Sequence, residues 1–495
     1  MARCACEIEA IVEFEDFHPA HYLDVAEMGA GLAMAYHWLG DRLGNELRVR
    51  VCQALGRHVL EPADESYFWW RAETNWNSVC LAGLAISASV VRESDPESAA
   101  AMMERVRSHM HHGFAAYEEG GVYPEGPTYW TYGTTFAVLL LECLDWMDGA
   151  GDRSPLPPPF AKTAEFRGWC DGTSDRVFNY GDAHVERCWF EPALLWFVDR
   201  LGAEAVGVNL KVALRRLLTG EEMSQTTIDR LYPLALLWCS STEAASSKAE
   251  PSWLGGRKCP LWFYRDADSG FYVAAKGGSG ATNHAHLDVG SFVMDLRGTR
   301  FASDLGAENY VRIERKVRTL FEHDAASDRW TLLRHRNEFH NTLTIGSRLH
   351  KPEGYAAIER IDAGDHSGIE IDLTDALSSG CSRAVRRIVV VGPNELVIED
   401  DVDLPVDETV FTLVTTADVR EMKRGCDLSI DGVEAELRIE GDTPSRIEID
   451  EIDAHRCDHE ATNPGMRRVR VVYGQTERVR SRVRFATREG GLLPA

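Results

Sequence analysis

The chain has 495 residues, of which 44% are hydrophobic, and a formal net charge of -25. This length exceeds what one ordinary hydrophobic core supports, so we expect two or three domains. No run of about 18 apolar residues occurs, which excludes a membrane-spanning helix. The acidic balance argues against nucleic acid as a partner, because phosphate binding needs a basic face.

The N-terminal residues "MARCACEIEAIVEFEDFHP" contain no basic segment leading into an apolar one, so we expect no signal peptide. The chain as given should therefore be cytoplasmic; it would be periplasmic or secreted if an N-terminal segment is missing. The 12 cysteines are scattered without a C-x-x-C pair, which predicts reduced thiols in the core.

From about residue 20 to 240, apolar residues recur at intervals of three and four, the pattern of helices with one buried face. This pattern predicts stacked helical pairs. The segments that carry it are 22–43, 77–91, 134–147, 191–202 and 228–239.

Asn75 and Asn77 bracket Trp76 just before one of these helices. A helix cap explains one asparagine. Two amides at the mouth of a cleft would instead donate hydrogen bonds to a carboxylate, and Trp76 would offer a stacking surface for a sugar.

The segment "GGVYPEGPTYWTYGTTFAVLL" crowds aromatic residues ahead of another helix. A phenol can exchange protons when its surroundings tune its pKa, so these tyrosines are candidates for acid–base chemistry. Structural tyrosines are the alternative. The residues crowded into this segment are Tyr123, Glu125, Tyr129, Trp130 and Tyr132.

From about residue 260 onward the apolar pattern has period two and is rich in β-branched residues, which predicts an antiparallel, sandwich-like region with a hairpin turn in "VGPNEL". We expect a helical domain at 1–250 and a β-sandwich domain at 251–495. The polar stretch "SSTEAASSKAEPSWLGGRKCP" is the expected linker.

The stretch "NHAHLDVGSFVMDLRGTRFASDLG" combines histidines and aspartates, which suit zinc. If residues 297–299 turn a hairpin, a regular ladder cannot bring Asp304 to His286. "NHAHLD" would then have to be a loop that folds back, with His340 supplying a third ligand from another strand. Histidines that only fill hydrogen-bonding positions in the core are the alternative.

Seven cations lie close together in the sequence, a pattern that predicts either a local basic cleft or a solvated basic face. They are Arg312, Arg315, Lys316, Arg318, Arg329, Arg334 and Arg336.

An ordered set of motifs resembles the heparinase II/III-like polysaccharide lyases. The motifs are "YLDVAEM", "NWNSVCLAGLAI", "YPEGPTYWTYGTTF", "VFNYGDAH", "NHAHLDVGSFVMDLRGTRFASDLGAENY" and "EFHNTLTI". The resemblance covers about residues 21–345 and implies an α+β multidomain fold in which an incomplete α/α toroid precedes an antiparallel β-sandwich. It also implies β-elimination on a uronate-containing polysaccharide. Relative to typical members, we expect the first helices of the toroid to be missing.

The resemblance further implies roles for single residues. Tyr132 matches the catalytic tyrosine of related lyases, with Tyr129 as the fallback, and His284 would be its partner. Beside these roles, we expect Asn75 or Asn77, helped by a nearby arginine, to bind the uronate carboxylate, and Glu125 and Tyr310 to line the sugar site. By similarity to heparinase II, a structural zinc would be held by His286, Asp304 and His340.

The expected partner is thus an acidic polysaccharide or oligosaccharide, with no nucleic acid and no membrane, and a homodimer stays open. Two other functions remain compatible with the sequence: a uronate C5 epimerase on the same scaffold, and a polysaccharide-binding protein without activity.

Overall fold

A computed structural model describes residues 2–149, 153–187, 191–202, 229–238, 251–361 and 366–488. Helices account for the regular structure up to residue 238, and strands dominate from residue 252 onward. This order matches the predicted toroid followed by a β-sandwich. Among the described residues, no helix has the length and hydropathy that crossing a membrane requires.

The described helices of the first half include one on each of the five predicted segments and four more between or before them. They are α1 (Ala2–Val12), α2 (Tyr22–Leu39), α3 (Asn45–Leu55), α4 (Asn75–Val91), α5 (Pro96–Ala115), α6 (Pro127–Asp148), α7 (Pro158–Cys170), α8 (Pro192–Leu201) and the short α9 (Ala235–Trp238).

Helix α4 is the centre of the helical half, because nearly all of its side chains are buried and it packs against α2, α5 and α6. A glycine permits the close approach of α2: a Cβ on Gly83 would lie 2.5 Å from the carbonyl oxygen of Ala26. Any larger residue at this position would force the two helices apart.

The second half contains seventeen described strands, all paired antiparallel, one short described α-helix, α10 (Tyr310–Ile313), and several 3-10 turns. The strands form three sheets, with orders β1-β2-β3-β4-β5, β12-β13-β14-β17-β10-β9-β8-β7 and β15-β16-β11-β6. Their bounds are β1 (Ser252–Gly255), β2 (Leu261–Asp266), β3 (Phe271–Lys276), β4 (Phe292–Leu296), β5 (Thr299–Ala302), β6 (Leu343–Ile345), β7 (Ile358–Arg360), β8 (Ser367–Asp372), β9 (Arg383–Gly392), β10 (Glu395–Asp403), β11 (Thr409–Thr415), β12 (Asp418–Met422), β13 (Gly425–Ile430), β14 (Val433–Ile439), β15 (Arg446–Glu451), β16 (Arg467–Tyr473) and β17 (Arg478–Thr487).

Both predicted hairpins are present. Arg297 and Gly298, with φ of 51° and 74°, join β4 to β5, and Pro393 with Asn394 joins β9 to β10. The predicted linker is only partly described, since residues 239–250 lie outside the described part of the chain. Its end differs from the prediction, because "SWLG" pairs with β2 and forms β1.

The five-stranded sheet is buried on both faces. Leu261 and Phe263 belong to the same core as the helices, whereas Trp262 and Phe271 belong to the core shared with the other sheets. This follows from the two-residue alternation of a strand. The loop between β3 and β4, which carries the histidines, is therefore held next to the helical half.

Candidate active site

A cavity of about 460 Å³ lies where the two halves meet. The start of α6 contributes Tyr129 and Tyr132 to its wall, the loop after α7 contributes Asp182, and the start of α10 contributes Tyr310. The two predicted phenols thus line one space together with a residue from the strand-rich half.

His284 lies beside this cavity in a strained backbone conformation, with a φ of 59°. Its carbonyl oxygen accepts a hydrogen bond from the Asp182 backbone N–H at 3.0 Å. The neighbouring glycine makes this contact possible, because a Cβ on Gly181 would lie 2.6 Å from the same oxygen. Residues 281–291 contain no strand, so "NHAHLD" is the loop that the metal hypothesis required.

The Nδ1 atom of His284 lies 2.9 Å from the Tyr310 hydroxyl and 3.2 Å from Asp182 Oδ2. Tyr310 donates its only hydroxyl hydrogen to Asp182 Oδ2 at 2.6 Å. Both neighbours of Nδ1 are therefore acceptors, so Nδ1 carries the hydrogen and the lone pair of the neutral imidazole is on Nε2.

Asp182 is the centre of a buried network that fixes this arrangement. Besides His284 and Tyr310, it accepts hydrogen bonds from Arg329 Nη2 and His286 Nε2, each at 2.9 Å. Burial alone would raise the pKa of Asp182, but the charge of Arg329 and the surrounding imidazoles hold that pKa well below its ordinary value. Asp182 is therefore an anion throughout the neutral range.

Glu125 approaches the same imidazole from its other nitrogen, with Oε2 at 3.9 Å from His284 Nε2. Its carboxyl group accepts hydrogen bonds from the Asn75 backbone N–H at 3.0 Å and from the Asn75 side-chain amide. Burial raises the pKa of Glu125, and His284 and Asn75 only partly oppose this effect. Asn75 begins α4, so that helix positions Glu125.

The two candidate tyrosines make different contacts. The ring of Tyr129 stacks on that of His284, with centroids 3.7 Å apart. The Tyr132 hydroxyl donates to Glu27 Oε1 at 2.6 Å, and Arg230 in turn binds Glu27. Burial raises the pKa of both phenols, with Asp182 adding to the effect at Tyr129 and Glu27 at Tyr132. Both phenols therefore keep their protons at neutral pH and are proton donors.

Asn77 and Trp76 lie away from the cavity wall. The Asn77 amide donates to the carbonyl groups of Trp69 and Trp70 at 3.1 and 2.9 Å, and its oxygen accepts from the Gly113 backbone N–H at 3.0 Å. These bonds use the amide to join helices, which is a structural role. Trp76 packs against His21 and Phe68 near the protein surface.

The predicted zinc ligands are arranged differently from the expectation. Asp304 and His340 form a close pair, with Oδ2 at 2.7 Å from Nδ1. The buried residues whose ligand atoms lie within 4.8 Å of one another are instead Asp182, His286 and His335. Asp304 raises the pKa of His340 against the effect of burial, and Nε2 of His340 is buried without a hydrogen-bond partner.

The Asp182 group fits zinc in its chemistry. Burial lowers the pKa of His286 and His335, which keeps both imidazoles in the neutral form that binds metals. The Nδ1 atoms of both histidines are buried without a hydrogen-bond partner. Arg329 binds the other carboxylate oxygen of Asp182 and would compete with a zinc ion for the negative charge of that carboxylate.

Comparison with known proteins agrees with this architecture. Residues 263–471 match the family model for heparinase II/III-like, C-terminal. The matched residues lie within the strand-rich half, which is thus similar to the C-terminal domain of heparinase II/III-like proteins. The family resemblance inferred from the sequence motifs is thereby confirmed. A sequence comparison with curated proteins finds no match.

Solved structures extend the likeness to the helical half of the chain. A crystal structure of heparinase III matches with a TM-score of 0.66 and 12% identity, covering 95% of this chain and 70% of the other. A heparinase III gene product with methylated lysines matches at 0.61 and 13%, covering 96% and 68%. Heparan sulfate lyase HepC from Pedobacter heparinus matches at 0.59 and 10%, covering 96% and 69%. At this identity the likeness establishes the fold, an incomplete toroid with a β-sandwich.

The sequence alone assigned no role at the candidate site to several residues that the structure places there. Asp182 stands in the quoted motif "VFNYGDAH", and Glu27 stands in "YLDVAEM". Both motifs contributed to the family resemblance, and the carboxylate in each motif could have been chosen as a candidate site residue. Arg329 was noted only as one of the seven clustered cations, and His335 gave no comparable signal.

Proposed function

We propose that the chain is a polysaccharide lyase that cleaves a uronate-containing polymer by β-elimination. The observation that carries this proposal is the fixed orientation of His284, whose Nδ1 is held by Asp182 and Tyr310 beside a cavity lined with phenols. In β-elimination the proton at C5 of the uronate is removed, the bond from C4 to the glycosidic oxygen breaks, and an unsaturated sugar results.

His284 would act as the general base through Nε2. Its lone pair is available there because Nδ1 carries the ring hydrogen, and Asp182 stabilises the imidazolium that forms. The strained φ of His284 supports a functional role, since strain of this kind is stored where geometry matters.

Tyr132 would donate the proton that the departing C4 oxygen needs. Its raised pKa keeps the phenol protonated, and after each turnover the phenolate takes a proton from water while His284 releases the C5 proton to water. Tyr129 is the alternative donor, because its ring lies directly on His284.

Asn75 and Glu125 would face the uronate carboxylate, on which negative charge builds during the reaction. A carboxyl group with a raised pKa can be neutral and donate a hydrogen bond to that charge, as long as it keeps its proton. Asn75 holds Glu125 in place through two hydrogen bonds.

A structural zinc is part of the proposal. Asp182, His286 and His335 would hold it, and when bound the metal would order the loop that carries His284 without contacting substrate.

The test is a panel of heparan sulfate, alginate, hyaluronan and bacterial exopolysaccharides incubated with metal-replete protein, monitored by the ultraviolet absorbance of unsaturated uronates. A C5 epimerase would exchange the C5 proton with solvent without creating these ends, and a binding protein would do neither.

The tyrosines are separated by Tyr132→Phe and Tyr129→Phe, assayed side by side on the cleaved polymer. We expect Tyr132→Phe to lower kcat about 100-fold or more while polymer binding is retained. If Tyr129→Phe shows the larger loss in kcat instead, Tyr129 is the donor.

A further inference from the structure

The seven-cation cluster divides into two parts with different surroundings. Arg329 is buried against Asp182, Arg334 is buried against Glu308, and Arg336 pairs with Glu338. The remaining four side chains are exposed and belong to residues 311–318, which we call the cationic segment.

The cationic segment has no internal partners for most of its charge. Among the described residues, Arg315, Lys316 and Arg318 make no ion pair or side-chain hydrogen bond, and Arg312 only donates to the carbonyl group of Asp458 at 3.2 Å. Glu314 is the single acid in the segment. In a chain with a formal net charge of -25, four such cations in a short span are a local reversal of charge.

The orientation of these side chains is fixed by apolar packing. Ile313, Val317 and Leu320 form a small core with Leu332, against which Tyr310 packs. These apolar residues are buried, whereas the cationic residues beside and between them are exposed, so the charged side chains face solvent. The charges are therefore presented by an anchored segment.

The cationic segment begins at the wall of the cavity. Tyr310 and Val311 line the cavity wall, and Val311 is 74% exposed. Phe321, 55% exposed, contacts the edge of Tyr310 with ring centroids 5.6 Å apart. Exposed apolar groups flank the cations, a combination that suits the ring faces and the carboxylates of acidic sugars.

From this geometry we propose that the cationic segment is a second binding site, which holds the acidic polysaccharide chain outside the cavity while one sugar is cleaved inside. This site rests on the proposed function, because the cavity is taken as the point of cleavage. Electrostatic attraction at an exposed site weakens with salt, so binding through it should be salt-dependent.

The test compares two triple variants of the full chain that remove the same charge. One is Arg315→Ala/Lys316→Ala/Arg318→Ala. The control is Arg42→Ala/Arg57→Ala/Lys423→Ala, which changes exposed cations that likewise make no ion pair or side-chain hydrogen bond in the described residues. Thermal unfolding of both variants verifies that each is folded.

Binding to immobilised heparan sulfate, alginate and hyaluronan is measured at low and high salt, with dextran as the neutral polymer and duplex DNA as a different polyanion. We expect the first variant to lose about tenfold in affinity for acidic polysaccharide at low salt, as three modest exposed ion pairs predict, and the control to bind like the wild type. On a cleaved polymer the loss should be in KM more than in kcat.

Equal affinity of the first variant and the wild type would overturn the proposal. Equal loss in both triple variants would also overturn it, because total charge and not position would then control binding. Wild-type binding to DNA as tight as to polysaccharide would overturn the assignment to sugar. Absence of cleavage on every polymer refutes the proposed function alone, since the binding comparison is read without turnover.

Discussion

Glu125 and Asp182 are both buried carboxyl groups next to His284, yet their surroundings shift their pKa values in opposite directions. Glu125 is held by the neutral amide groups of Asn75, and burial raises its pKa. Asp182 is held by Arg329 and by imidazoles, and these lower its pKa. The difference teaches that the kind of hydrogen-bond donor, and not burial alone, decides the charge of a buried acid.

This contrast gives the two nitrogens of His284 different tasks. The Nδ1 atom meets a permanent anion, which fixes the tautomer and can stabilise a charged ring. The Nε2 atom faces Glu125, a carboxyl group whose pKa is raised by burial. Pairs of acids with separated pKa values are a common arrangement in acid–base catalysis.

The largest expected effect is that of Asp182→Asn. This change leaves Arg329 buried without its counterion, which should cost about 3–5 kcal/mol in the free energy of unfolding. The free energy is measured by urea unfolding. The same change removes the acceptor that fixes the His284 tautomer, so kcat should fall and its pH profile should shift.

The control for Asp182→Asn is Asp400→Asn, which breaks the fully buried pair between Arg386 and Asp400 in the β9–β10 hairpin. A comparable loss of stability is expected there, without any change in the pH profile of kcat. If both variants change the pH profile alike, Asp182 has only a structural role.

Gly181→Ala should have the next largest effect, because its Cβ would meet the carbonyl oxygen of His284. Gly149 offers a matched control: its φ of 61° is close to the 59° of Gly181, and a Cβ there would have no atom within 4 Å. Gly149→Ala should therefore cost only about 1 kcal/mol, the usual penalty for a left-handed residue.

We expect Gly181→Ala to cost more than Gly149→Ala in thermal unfolding and to reduce kcat as well. Equal unfolding temperatures for the two variants would contradict the close contact between Gly181 and the loop that carries His284.

The smallest effect is the pH dependence produced by Glu125. The pKa of Glu125 is higher in the folded than in the unfolded protein. The stability that this group contributes is therefore fully present at pH below the unfolded-state pKa, and it is lost as the pH rises through the folded-state pKa. Asp182 behaves in the opposite way, because its pKa is lower in the folded protein. The stability that it contributes is present at pH above the unfolded-state pKa and is lost as the pH falls through the folded-state pKa.

The free energy of unfolding of Glu125→Gln should therefore increase relative to that of the wild type as the pH is raised. The wild type loses stability when the buried carboxyl group ionises, and the variant has no such group. Urea titrations at several pH values measure this difference. A difference that is constant with pH would show that the pKa of Glu125 is not raised.

The sequence was sufficient to predict the order of helices and strands, because apolar periodicity is a local property. It also predicted Tyr129, Tyr132 and Tyr310, which line one cavity, and His284 beside it. These residues stand in motifs whose order along the chain resembles a known family.

The network around Asp182 was not predictable from local pattern. Asp182 and its partners His286, Arg329 and His335 are separated by more than 100 residues and lie in loops or short turns. Alternation in "NHAHLD" is compatible with a strand, and only the positive φ of His284 shows that the loop turns back. The metal grouping differed for the same reason, since it depends on Asp182.

The sequence showed the seven cations as one cluster, but it did not show which of them are buried against acids and which are exposed. Arg329 and Arg334 are buried because acids from distant segments meet them, whereas residues 311–318 stay exposed. Long-range pairing decides which charges are left for a ligand.

The most direct test of the account measures the formation of unsaturated uronate ends by the wild type and by His284→Gln on the polymer panel. We predict that the wild type produces such ends from at least one polymer, and that the variant binds this polymer but forms ends about 100-fold more slowly or worse. Cleavage by the variant at the wild-type rate would contradict the role of His284. Metal-replete wild-type protein that cleaves none of the polymers would contradict the lyase itself.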